Sequence, residues 1–256
     1  MYTYTYGYDE AEFYIPKGQV VGGYAIGIVC LGDQWVPPPP GSVENASTFN
    51  FPVCLKPIHV GCKEIVLGKA SPTILEKTIK AGKELVEKLG CRAIVGACGY
   101  FANYQEEVAA ALDVPVFLSS LMQVPIVIRA LKPDQKVGII CAKGDALSAA
   151  PALKQCGVDD LSNIVIAGAQ DTSQIKNILE GTGRMNNAKF GQELADIAKK
   201  IVSDHPDVGA IVLEGSDFPP YAWAIQKAVR LPVFDFTTMI NWIYSAVVRR
   251  PFAGFI

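Results

Sequence analysis

Histidine is scarce in this 256-residue sequence, which has only His59 and His205. That leaves little from which to build a Ser-His-Asp hydrolase, and no histidine cluster to hold zinc. The seven cysteines are an odd set with no CxxC spacing, which argues against a disulfide framework. An excess of one charge sign is missing too: 23 Lys plus Arg against 25 Asp plus Glu leave a formal net charge of −2. Neither a nucleic acid nor a membrane surface is therefore expected as a partner. The longest apolar run, residues 20–31, is interrupted by three glycines and is too short to cross a bilayer. At the N-terminus, MYTYTYGYDEAEF holds no basic segment followed by an apolar one. No secretory leader is expected, and the cytoplasm is the default location.

What is present is an internal duplication. Residues 93–122 align without a gap on residues 210–239, with 10 of 30 positions identical. The matches include Ala93/Ala210, Ile94/Ile211, Val95/Val212, Phe101/Phe218, Tyr104/Tyr221 and Pro115/Pro232. An upstream echo pairs Ile26-Gly27-Ile28-Val29-Cys30 with Val137-Gly138-Ile139-Ile140-Cys141. Each half parses alike. A short apolar strand (25–31; 136–141) is followed by a helix of period 3.6 (73–89; 191–203). A second buried strand comes next (93–97; 210–214), then a loop, a helix (104–112; 221–229) and a strand (114–118; 231–235). Further strands are expected over 53–60 and 163–167. Apolar strands alternating with helices predict an α/β fold of two pseudo-symmetric parallel-sheet halves with the site between them. The expected divisions are a tail or oligomer arm over 1–19, a first half over 20–130 and a second over 131–256. The C-terminal segment is left free to pack back on the first half. The aromatic tail makes a homo-oligomer the expected assembly.

Ligands of open parallel sheets bind outside the carboxyl ends of the strands. There the first repeat carries Ala97-Cys98-Gly99-Tyr100 and the second Glu214-Gly215-Ser216-Asp217. Cys98 aligns with Gly215. A thiol between a strand and a helix N-terminus faces N–H donors, so its pKa is expected to fall. The alternative for Cys98 is a small buried residue filling a strand end. Cys30, Cys141, Cys91 and Cys156 read as packing, and Cys54 and Cys62 carry no assignment. Lys143 and Ser120 are candidates to meet a substrate carboxylate, against the plainer readings of a solvated lysine and a helix cap. Tyr104 and Tyr221 read either as cleft residues or as paired core aromatics.

The Ala-Cys-Gly loop and its counterpart Glu-Gly-Ser-Asp-Phe-Pro-Pro-Tyr, set in a duplicated α/β chain, resemble the aspartate/glutamate/hydantoin racemase superfamily. The likeness covers nearly all of the chain beyond residue 20. It implies a cofactor-independent enzyme, an isomerase acting on a small carboxylate, with one cysteine from each repeat facing the other across a cleft. Cys98 matches the first cysteine. Gly215 stands where the second belongs, and a symmetric two-thiol racemisation is then impossible. Asp217, Ser216 or a water could replace the missing thiol. One-sided chemistry is the alternative, since decarboxylation and β-elimination each need a single acid or base, and relatives include malonate-type decarboxylases and dimethylsulfoniopropionate lyases. A third possibility is that Gly215 is itself a replaced cysteine. The expected site is Cys98 and Asp217 as acid/base groups, with Gly99, Tyr100, Gly215, Ser216, Ser120 and Lys143 holding substrate. A binding protein that kept the carboxylate cleft without catalysis is the rival from another class.

Overall fold

The computed structural model describes residues 14–67, 70–149, 151–252 and 254–256. Residues 1–13 of the expected N-terminal arm lie outside the described residues.

Apolar runs bounded by turn residues form two four-stranded parallel sheets. The first holds β1 (Ile26–Leu31), β2 (Val53–Ile58), β3 (Ala93–Gly96) and β4 (Val116–Phe117), in the order β2-β1-β3-β4. The second holds β5 (Lys136–Cys141), β6 (Ile164–Gly168), β7 (Val208–Leu213) and β8 (Val233–Phe234), in the order β6-β5-β7-β8. The duplication reappears as register. Ile94 and Val95 pair with Val116 and Phe117, and Ile211 and Val212 pair with Val233 and Phe234. Every residue of β1, β3 and β7 is buried, as a parallel sheet covered on both faces requires.

Among the described residues the helices are α1 (Cys62–Leu67), α2 (Pro72–Glu87), α3 (Gln105–Ala111), α4 (Val124–Ala130) and α5 (Gly144–Ala149). They continue with α6 (Ala152–Gln155), α7 (Ser173–Glu180), α8 (Asn187–Asp204), α9 (Ala222–Val229) and α10 (Phe236–Val247). The long helices α2 and α8 are amphipathic. α2 buries Ile74, Thr78, Ala81 and Leu85, and α8 buries Phe190, Leu194, Ala198 and Ile201. Each presses on the glycine of the central strand beside it. A Cβ at Gly27 would lie 2.9 Å from Ile94 and 3.1 Å from Leu85 of α2. At Gly138 it would lie 2.8 Å from Ile211 and 3.1 Å from Ile201 of α8. The repeated glycine is thus a place where a helix and a neighbouring strand close on the backbone.

The last helix of each half crosses to the other. Val124 and Val127 of α4 pack with Val137 and Ile139 of β5. Phe236, Met239, Ile240 and Ile243 of α10 join the core of β1 and β3 in the first half. A capping box starts α10: the Asp235 carboxylate accepts from the Thr238 N–H at 2.8 Å, while the Asp235 N–H donates to the Thr238 hydroxyl at 2.9 Å. Gln123 ties the two crossings together. Its amide donates to the Asp235 carbonyl at 2.9 Å, and its carbonyl accepts from the Thr238 hydroxyl at 2.9 Å. The exchange holds the two sheets in fixed relation, with the carboxyl ends of β3 and β7 facing one cavity.

Candidate active site

The strand ends converge. Cys98 and Gly99 after β3 meet Glu214, Gly215, Ser216 and Asp217 after β7 around a cavity of about 40 Å³. That is room for two or three waters. Gln34, Cys62 and Ile178 line both this cavity and a wider cleft of about 440 Å³ between the halves. At the rim of that cleft the Gly183 N–H donates to the Trp35 carbonyl at 3.0 Å, and the indole lies over Gly183. A larger cavity of about 760 Å³ lies elsewhere, between the 14–25 segment and the C-terminal helix, away from both strand-end loops.

Cys98 is 8% exposed and precedes a short 3-10 helix, Gly99–Tyr104. The expected fall in its pKa is reversed: the thiol is held well above its ordinary value. Burial is the main cause, followed by the neighbouring Glu214 carboxyl and the Cys62 thiol, with Glu44 adding to them. The backbone N–H of Tyr100 opposes them alone. A short 3-10 turn supplies one well-placed donor rather than the dipole of a long helix, so desolvation prevails.

Glu214 is the group that sequence reasoning left out of the site. It is 1% exposed, and its Oε2 accepts from the Ala142 N–H at 3.4 Å. Its Oε1 is buried and has no hydrogen-bond partner. The side chain crosses from the second half to the first, and a Cβ on Gly99 would overlap its carboxyl group. Gly99 therefore admits a carboxyl group beside Cys98. Burial pushes Glu214 up to about 8. The signal available in the sequence was a lone acid ending a wholly apolar strand. Two further groups were not assigned to the site. Cys62, at the start of α1, lines the cavity, and its thiol is pushed up to about 12 by burial and by Asp217, Glu214 and Glu44. Glu44 accepts a hydrogen bond from the Ser216 hydroxyl at 3.0 Å, and its other carboxyl oxygen is buried without a partner. Burial and the neighbouring Asp217 raise Glu44 well above the usual carboxylate range. Asp217 is raised as well, by burial, with the Ser42 hydroxyl opposing.

Of the expected residues, Cys98, Gly99, Tyr100, Gly215, Ser216 and Asp217 share the cavity. Tyr100 spans the halves, its hydroxyl donating to the Lys143 carbonyl at 2.8 Å and accepting from the Lys143 N–H at 3.2 Å. Ser120 and Lys143 do not line the cavity. The Ser120 hydroxyl is committed to the Leu213 carbonyl at 2.7 Å, where it fixes the end of β7. The Lys143 ammonium lies 3.7 Å from the Asp145 carboxylate, and only the lysine backbone reaches Tyr100. Tyr104 and Tyr221 are core residues that anchor the starts of α2 and α8. The Tyr104 hydroxyl accepts from the Ser71 N–H at 2.9 Å, and the Tyr221 hydroxyl donates to Asn187 at 2.6 Å.

The Gly215 position is built for glycine. A Cβ there would stand 2.8 Å from three atoms of the Phe218 ring. Phe218 is fully buried and packs edge-on against Phe190, with ring centroids 5.7 Å apart. The space beside a second thiol is taken by an aromatic ring. The site therefore offers the buried Cys98 thiol and the half-buried Cys62 thiol, with the raised Glu214 carboxyl group beside Cys98, Asp217 in the opposite wall and Glu44 behind it.

No family model matches the chain. Curated relatives do. Dimethylsulfoniopropionate lyase 7 of Emiliania huxleyi is 30% identical over 241 residues, covering 90% of this chain and 69% of that one. The dimethylsulfoniopropionate lyase of Durusdinium sp. clade D is 30% identical over 234 residues, covering 90% and 77%. Among solved structures, allantoin racemase of Pseudomonas fluorescens superposes with a TM-score of 0.56 at 13% identity, covering 88% of this chain and 91% of that one. Unliganded arylmalonate decarboxylase gives 0.53 at 14% identity, covering 88% and 92%. These neighbours share the two-sheet fold. The relatives that establish the kinship are named as lyases, where the sequence reading had expected an isomerase.

Proposed function

The chain belongs to the family of the dimethylsulfoniopropionate lyases, within the aspartate/glutamate/hydantoin racemase superfamily, and on that premise we propose that it catalyses β-elimination from a short carboxylate. Cys98 is the base that removes the proton from the carbon next to the carboxylate. The electron pair of that C–H bond becomes the new carbon–carbon double bond, and the bond from the β-carbon to its leaving group breaks. For dimethylsulfoniopropionate the products are acrylate, dimethyl sulfide and a proton, taken first by the thiolate and then released to water. No cofactor takes part in this scheme.

One observation carries the reading: Cys98 stands opposite Gly215, with Phe218 packed where a second thiol would need room. Racemisation needs a proton donor on each face of the carbon, whereas elimination needs a base on one. Decarboxylation is also one-sided, but a malonate would bring two carboxylates into a cavity already walled by Glu214 and Asp217. The lining, with no Lys, Arg or His among the described residues, offers a second substrate carboxylate no cationic partner. The backbone around Gly99, Gly215 and Ser216 is left to position the substrate carboxylate, and Tyr100 ties the first loop to the Lys143 backbone after β5. Asp217, Glu214 and the Cys62 thiol are further groups able to carry a proton within the cavity.

The test is a headspace assay for dimethyl sulfide over purified protein given dimethylsulfoniopropionate, beside parallel samples given phenylmalonate and L-aspartate. Dimethyl sulfide release abolished in Cys98→Ala is the expected result. Loss of carbon dioxide from the malonate, or racemised aspartate with no dimethyl sulfide, would overturn it.

A further inference from the structure

A short carboxylate entering this cavity meets few side chains that can hold its charge. The described lining has no Lys, Arg or His, and the Lys143 ammonium is paired with Asp145. The hydroxyls are committed as well: Tyr100 donates to the Lys143 carbonyl, and Ser216 donates to Glu44. Glu214 is placed differently. It ends β7 and crosses the cleft to lie against Gly99, at 1% exposure. Its Oε2 accepts from the Ala142 N–H at 3.4 Å, while Oε1 is buried without a partner among the described residues. One long N–H bond is too little to hold a desolvated carboxylate in its ionised form. The titratable groups that feel its charge are Cys98 and Tyr100 after β3, Cys62 of α1 and Cys141 of β5. All of them are acids and none brings a positive charge. Burial accordingly pushes Glu214 up to about 8, so the side chain keeps its proton at neutral pH. A protonated carboxyl group is a hydrogen-bond donor, and Oε1 is the oxygen with no bond already made.

We propose that Glu214 is a catalytic hydrogen-bond donor, a neutral carboxylic acid whose Oε1–H meets the substrate carboxylate beside Cys98. The inference rests on the elimination reading for the place of the substrate, and it assigns Glu214 a part that reading leaves open. The O–H donates to a carboxylate oxygen in the bound state. As Cys98 removes the neighbouring proton, negative charge grows on the same oxygen and the bond strengthens, which stabilises the transition state more than the substrate. The proton on Glu214 stays on Glu214 throughout, so elimination still releases a single proton through Cys98. Gly99 is part of the device. Any side chain there would overlap the Glu214 carboxyl group and push the donor away from the thiol. A neutral donor also suits a pocket that must hold a thiolate, because a lysine or arginine in its place would pair with Cys98 and weaken it as a base.

The probe is 4-methylpentanoate, a carboxylate with no leaving group, titrated calorimetrically into the purified full chain between pH 6.5 and 9.5. Wild-type affinity is expected to fall about tenfold per pH unit above about pH 8, as Glu214 loses the proton it donates. Asp217, pushed up to about 6, titrates earlier, and Cys98 is held well above its ordinary value. Glu214→Gln separates a donor from a base. The amide oxygen can still accept from the Ala142 N–H while the amide N–H₂ takes over the bond to the ligand. Its affinity at pH 7 is expected to stay within about threefold of wild type, with the step near pH 8 gone, whereas Glu214→Ala loses about tenfold or more at pH 7. Affinity that stays flat to pH 9.5 in the wild type overturns the donor, and so does Glu214→Gln binding as weakly as Glu214→Ala. Should a variant fail to fold, the wild-type profile still decides. The two readings fail separately. The expected binding profile without dimethyl sulfide release refutes the elimination and keeps the donor, whereas release with a flat binding profile does the reverse.

Discussion

At the scale of single residues, the chemistry turns on Glu214 lying against Gly99 and Phe218 lying against Gly215. Both glycines are sites of close approach, and both make predictions. Gly215→Cys forces the Phe218 ring to move out of a packed core, so a loss of about 1–3 kcal/mol is expected in chemical denaturation. An unchanged midpoint would show that the ring yields freely and that a second thiol was excluded for another reason. Glu214 makes a pH prediction whose sign follows from its folded pKa, which burial pushes from the ordinary carboxylate range up to about 8. The folded state then holds a proton that the unfolded chain has lost. Stability from this group is full below the unfolded pKa, falls as pH rises, and is lost once pH passes about 8. Glu44 and Asp217, raised in the same direction, act likewise. Melting temperature is therefore expected to decline between about pH 5 and pH 8, and Glu214→Gln to flatten that decline. An equally steep decline in the variant would assign the titration to the other carboxyl groups. Cys98 and the strand-end loops were legible because a duplication aligns them, and alignment is a property of sequence. Glu214, Glu44 and Cys62 were not, because nothing in a linear chain tells which side chains cross a cleft to meet a thiol. The direction of the Cys98 shift was misread for a related reason: the helix terminus is local and visible, whereas desolvation belongs to the assembled site.

At the scale of elements, the central strands and amphipathic helices were readable because period and burial coincide in them. Lys136–Cys141 is the strand expected, and α2 begins within a residue of its expected start. The last strand of each half was overdrawn. The expected five-residue runs shrink to Val116–Phe117 and Val233–Phe234, each pairing through two residues with β3 or β7. α10 was missed although its pattern is present: Phe236, Met239, Ile240 and Ile243 recur at helical spacing behind the Asp235–Thr238 capping box. A segment rich in aromatic and β-branched residues reads ambiguously until it has a surface to cover, and that surface belongs to the other half. The glycine echo between β1 and β5 yields the prediction for this scale. Gly138→Ala places a methyl group 2.8 Å from Ile211 and 3.1 Å from Ile201 of α8, so overpacking should cost about 1–3 kcal/mol by denaturant titration. Gly181→Ala meets no atom within 4 Å but sits at a φ of +63°, so its cost comes from backbone strain instead. A neutral Gly138→Ala would mean that α8 is not seated on the strand as described.

At the scale of the whole molecule, two copies of one plan face each other, and each lends its last helix to the other. The arrangement gives a rigid frame and a cleft whose two walls started out equivalent. The two walls differ at their strand ends: one carries Cys98, and the other carries Gly215 flanked by Glu214 and Ser216, with Asp217 beyond. The cavity of about 40 Å³ shares Gln34, Cys62 and Ile178 with the larger cleft of about 440 Å³. The central claim is that a single thiol, Cys98, performs a one-sided elimination. Proton NMR of dimethylsulfoniopropionate in D₂O with the purified protein tests it most directly. Vinyl signals of acrylate growing in with wild type, and absent with Cys98→Ser, are the predicted result. Exchange of the protons next to the carboxylate without vinyl signals, or full turnover by Cys98→Ser, would contradict it.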